Sequence, residues 1–180
     1  TGISIQYPLV ELCVALIWVF MSWRYGLDVK ALQGAAFFTI LLGIALTDAR
    51  EYIIPDEFSL GGLVIGILFS LAGGFSGIAA ALLGAAVGFA LLWGVGAAGT
   101  KLFKEDAMGG GDIKMMAMVG AFVGWQGVLL TVFLGALLGT LVFVPLSLVG
   151  KKRLVPFGVF LSLGAAATWL AGAAVIAWYR

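Results

Sequence analysis

Seven apolar segments separated by short polar turns decide what this chain can become: 9–23, 31–47, 58–72, 78–98, 112–123, 128–149 and 158–178. A helix needs roughly 20 mostly apolar residues to cross a hydrocarbon core about 30 Å thick, and most of these segments approach that length. Of the 180 residues, 63% are hydrophobic and 11% charged, against about 45–50% and about 25% in soluble domains. The pattern predicts an all-α integral membrane protein, a polytopic bundle of about seven helices forming one transmembrane domain over residues 1–180, with the lipid bilayer as its surroundings. Segment 112–123 is too short to span alone, which places it among other helices. Small-residue spacings at Gly62/Gly66, Gly84/Gly88, Gly120/Gly124 and Gly135/Gly139 indicate close helix packing.

Charge is scarce, so its location is informative. The loop after the second segment holds Asp48, Arg50, Glu51, Asp56 and Glu57, and Pro55 biases Ile54 away from helical angles, so one helix ends before Pro55 and another starts near Asp56. A second polar loop, from Thr100, carries Lys101, Lys104, Glu105 and Asp106 into Gly109, Gly110, Gly111, Asp112 and Lys114. Counting Lys and Arg by side puts Arg50, Lys101, Lys104, Lys114, Lys151, Lys152 and Arg153 on one face and Arg24, Lys30 and Arg180 on the other. The richer face is expected to be cytoplasmic, and both Asp-bearing loops lie on it.

A net charge of +1 gives no support for nucleic acid as a partner. There is no histidine and one cysteine, Cys13, so a zinc site would need unusual ligands, and catalysis would fall to carboxylates, Lys, Tyr or Ser. Asp48 and Asp112 meet that requirement. Two carboxylates facing each other cannot both be ionised cheaply, so they share a proton. The ionised member can take a proton from attacking water while the protonated one supports the oxyanion and feeds the leaving amine, with no cofactor. Gly109, Gly110 and Gly111 permit left-handed backbone and the close approach of a second chain, and Lys114 is placed to hold local charge or meet a phosphate headgroup.

Each residue also has a plainer reading. An Asp closing an apolar segment is most often a solvated helix end. Asp112 resists that reading because it opens a segment that itself looks buried, and intramembrane acids default to function. Asp56 rivals Asp48 as the first acid but, following Pro55, reads as a helix cap or supporting residue. Lys151, Lys152 and Arg153 read as a topology signal, and Glu11 as structural. A proton-coupled transporter with Asp48 and Asp112 as relay groups is the competing class, although transporters tend to place such acids mid-span.

Gly109-Gly110-Gly111-Asp112 resembles the G-x-G-D signature of membrane-embedded aspartyl proteases. Asp48 with Pro55-Asp56 resembles the D-x6-P-D loop of bacterial type IV prepilin peptidases, and Tyr7-Pro8-Leu9-Val10-Glu11 is similar to the opening of their second membrane helix. The resemblance implies an enzyme of the bacterial inner membrane. It would cleave the leader of prepilins and pseudopilins of type IV pilus and type II secretion systems after a glycine at the cytoplasmic face. Asp48 and Asp112 fall on the catalytic positions, and Asp56 on a matching non-catalytic one. Family members often also methylate the new N-terminus using S-adenosylmethionine. Many carry an earlier helix and two Cys-x-x-Cys pairs, so this chain is expected to be a C-terminal fragment, with zinc belonging to the missing part. Another G-x-G-D protease, such as a preflagellin peptidase, is the alternative within the class.

Overall fold

The computed structural model describes residues 5–105, 108–148 and 155–179. Asp106, Lys151, Lys152, Arg153 and Arg180 lie outside the described residues. The chain folds into α1 (Gln6–Tyr25), α2 (Val29–Glu51), α3 (Asp56–Ser70), a 3-10 turn (Leu71–Gly73), α4 (Gly74–Phe103), α5 (Gly110–Leu148) and α6 (Phe157–Tyr179), with no strand among the described residues. Among the described residues, five stretches are long and apolar enough to cross a membrane: Gln6–Tyr25, Val29–Glu51, Asp56–Phe103, Gly110–Leu146 and Phe157–Trp178. The protein is therefore a polytopic α-helical membrane protein.

The difference from seven segments has a local cause. α3 and α4 are joined only by the 3-10 turn, and the chain reverses there at Gly74 (φ 63°), while segments 112–123 and 128–149 are consecutive limbs of α5. Between the limbs stands Gly124, at φ 72° and ψ 174°, a conformation open to a residue without Cβ. Before Gly124, α5 packs on α4. Gly120 abuts the backbone of Gly84, and Gly88 abuts the backbone of Met116, so nothing larger than hydrogen fits at these crossings. Beyond Gly124 the partner is α6. Thr131 and Thr168 are hydrogen bonded through their hydroxyls at 3.0 Å, and the Phe143 and Phe160 ring centroids lie 5.6 Å apart. As α5 advances, its contacts on α6 retreat from Thr168 toward Phe160, so the second limb returns antiparallel to α6, toward the end where α6 begins.

The first limb of α5 is the centre of the bundle. Met115, Met116, Met118 and Val119 are fully buried on it, as its short length required. Phe122 stacks on Phe37 of α2 with centroids 4.5 Å apart, and Trp169 of α6 lies 5.5 Å from Phe37, so one aromatic cluster joins three helices. Outward-facing positions carry exposed Phe75, Trp93 and Phe133, as a lipid-contacting surface demands. α1 stands at the margin. Met21 is its one buried residue, Trp18 Nε1 donates to Thr39 Oγ1 at 3.2 Å, and Glu11 is exposed.

Candidate active site

The two aspartates reach one end of the bundle from different helices. Asp48 sits in the last turn of α2, and α2 ends at once because Tyr52 takes a left-handed φ of 56°, its N–H closing on the Asp48 carbonyl at 3.0 Å. Ile53 and Ile54 then lead to Pro55, the N-cap residue of α3. Pro55 fits that position because the helix start needs no N–H there and favours its fixed φ. Asp112 lies in the first turn of α5, where a carboxylate is stabilised by the unpaired N–H groups and dipole of the helix start. Its side chain accepts from the Gly109 N–H, the reach-back of an acid to the N-cap seen in capping boxes.

Asp48 has a partner that the sequence did not suggest. Its Oδ2 accepts the Val159 N–H at 3.1 Å, and the Gly158 N–H also bonds the carboxylate. Both donors belong to the first turn of α6, so the start of the last helix is fastened to the end of the second. Asp48 is only 6% exposed. Asp112 belongs to the same neighbourhood, since Gly111 next to it and Gly158 against Asp48 both abut Ile54. Ile54 completes the neighbourhood. It is buried, and its side chain lies against Gly111 on one side and Gly158 on the other.

The supporting residues fall into two groups. Lys114 Nζ holds both Asp56 oxygens, at 2.7 and 2.9 Å, tying the start of α5 to the start of α3. This corrects the capping role for Asp56. Pro55 occupies the cap position without a side-chain cap bond, and Asp56, one residue on, is turned to Lys114. The glycines depart from expectation as well. Left-handed angles occur at Gly26, Gly74 and Gly124 but not at Gly109, Gly110 or Gly111. What Gly111 supplies is room, because a Cβ there would stand 3.0 Å from the Ile54 Cβ. Asp48 and Asp112 both stand at helix ends on one side of the bundle, an arrangement suited to chemistry at the membrane surface.

No three His, Cys, Asp or Glu side chains among the described residues converge on a point, so none of these residues forms a zinc ligand set. A cavity of about 940 Å³ is lined by Lys30, Gln33, Phe69, Gln126 and Trp169 among others. Gln33 and Asp48 are fifteen positions apart on α2, or roughly 22 Å at 1.5 Å per residue.

Fold and site together define a class: a helical multi-pass membrane protein whose polar centre is a pair of aspartates at one end of the bundle. The chain belongs to the type IV leader peptidase family, whose model matches residues 35–144 and so includes both aspartates. It is 38% identical to a prepilin leader peptidase/N-methyltransferase of Pseudomonas putida, over 94% of this chain and 59% of that protein. Proteins of the same name from Aeromonas hydrophila and Neisseria gonorrhoeae are 32% and 33% identical, over 98% and 88% of this chain and 62% and 55% of theirs. The chain thus spans about three fifths of the length of these relatives. No solved structure matches it.

Proposed function

We propose that this chain is the peptidase part of a membrane-embedded aspartic endopeptidase that removes the leader of type IV prepilins and pseudopilins. The observation that carries the reading is the arrival of Asp48 and Asp112, from α2 and α5, at one end of the bundle, where Asp48 is the one buried acid among the described residues and Asp112 is half-buried. The pair acts as one titrating unit. Its ionised member draws a proton from water as the oxygen attacks the scissile carbonyl, and its protonated member steadies the oxyanion and then protonates the departing amine.

The substrate would lie extended beside Gly109, Gly110 and Gly111, leaving its apolar helix in the bilayer. The membrane is the bacterial inner membrane and the active face the cytoplasmic one, in keeping with the positive residues gathered on that side. The relatives are named N-methyltransferases as well, an activity for which S-adenosylmethionine would be the methyl donor; the proposal is confined to cleavage. A proton-coupled relay is less well supported, since both acids stand at helix ends and not at mid-span.

Incubation of the membrane-embedded protein with a type IV prepilin, followed by mass measurement of the product N-terminus, tests the reading. Cleavage after the leader glycine is expected, and Asp48→Ala and Asp112→Ala are each expected to lower the rate by about 10³-fold or more with the protein still folded in the membrane. Near-normal cleavage by both single variants would refute the mechanism.

A further inference from the structure

We propose that Gly158 is a positioning residue for the aspartate pair, with its missing side chain allowing the start of α6 to seat against Asp48. The inference rests on the reading of Asp48 as a catalytic acid. A Cβ at position 158 would stand 2.9 Å from Asp48 Oδ2 and 3.1 Å from its Cγ. Carbon that close to a carboxylate must displace it. Asp48 has little freedom to give way, being buried and held by the N–H groups of Gly158 and Val159.

The requirement is local. At Gly61, Gly94 and Gly110 nothing lies within 4 Å of the point a Cβ would occupy, so their substitution by alanine meets open space. Gly158 also differs from the glycines of the α4–α5 crossing, which face backbone far along the helices, whereas Gly158 faces a functional carboxylate. Its second close neighbour is Ile54 Cδ1, at 2.9 Å. The effect of a methyl group could therefore come through Asp48 or through Ile54, and the two routes are separable.

In the full chain in membrane vesicles with a type IV prepilin, Gly158→Ala is expected to lower kcat by about 10²-fold, the cost of a displacement near 1 Å at a reacting group. KM is expected to stay within about twofold, as for loss of an interaction used in the chemical step. Ile54→Ala/Gly158→Ala should remain about as far below Ile54→Ala as Gly158→Ala is below the parent chain. Recovery to the level of Ile54→Ala would show that Gly158 matters only for packing and would overturn the proposal, as would a normal kcat for Gly158→Ala. Thermal unfolding provides a readout independent of activity, including where Gly158→Ala accumulates poorly. The Tm loss caused by Gly158→Ala should shrink in an Asp48→Ala background, where the carboxylate is gone. An undiminished loss there counts against the proposal. If Asp48→Ala itself cleaves normally, the underlying assignment of Asp48 fails. If Asp48→Ala is inactive and Gly158→Ala is not, the present inference fails alone.

Discussion

At the scale of single residues, the site sorts its carboxylates by surroundings. Asp48 is buried and bound by backbone N–H groups, while Asp56, eight residues on, is 56% exposed and paired with Lys114. An exposed ion pair contributes about 0–1 kcal/mol. Asp56→Asn is therefore expected to lower cleavage by no more than about tenfold and leave Tm nearly unchanged, which steady-state cleavage and thermal unfolding will check. Loss equal to that of Asp48→Ala would transfer the first catalytic role to Asp56. The two acids themselves were legible in the sequence because an Asp closing or opening an apolar segment stands out against so little charge. The partner of Asp48 was not. Val159 lies 111 residues away, donates through backbone alone, and follows a glycine with no charge to draw notice. Pro156-Phe157-Gly158 ahead of an apolar helix was the one available sign.

At the scale of elements, the small-residue spacings translate into helix crossings close enough for backbone to touch backbone. α4 and α5 meet at Gly84, Gly88 and Gly120, and Gly66 of α3 lies against Ala121 and Phe122. Hydropathy and glycine spacing foretold that closeness, as well as the break between 123 and 128 that Gly124 supplies. The side-by-side count of Lys and Arg already had the second limb return to the face of Lys114, antiparallel to the last segment; what it did not reveal is which residues meet there, such as Thr131 with Thr168 and Phe143 with Phe160. Without a hydrophobic drive between helices in lipid, such contacts hold the bundle through packing. Gly120→Val forces α4 and α5 apart and is expected to cost about 1–3 kcal/mol or more, seen as a lowered Tm in detergent. Gly94→Ala, which meets open space, should instead be neutral or gain up to about 1 kcal/mol. Asp112 lies on the same limb as Gly120, so Gly120→Val should also slow cleavage.

For the whole molecule, the bundle has two unlike ends. One gathers Asp48, Asp112, the Lys114–Asp56 pair and the starts of α3, α5 and α6. The other holds the turn at Leu71–Gly73, Gly124 and the large cavity. That both Asp-bearing loops share one end was legible from the alternation of apolar segments and polar loops, whereas the cavity was not, since it depends on how five helices splay. In a Cys13→Ala background, cysteines placed at Glu105 and at Ser76 should label from opposite sides of the membrane, Glu105→Cys from the cytoplasm. Labelling of both from one side would break the proposed topology.

The central claim is that Asp48 and Asp112 work as one unit, and the most direct test is to compare prepilin cleavage by Asp48→Asn, Asp112→Asn and Asp48→Asn/Asp112→Asn. Groups that act together are strongly non-additive. Each single variant is expected to lose as much rate as the double variant, within about tenfold. Single variants that retain substantial activity, with losses that multiply in the double variant, would contradict a shared catalytic pair.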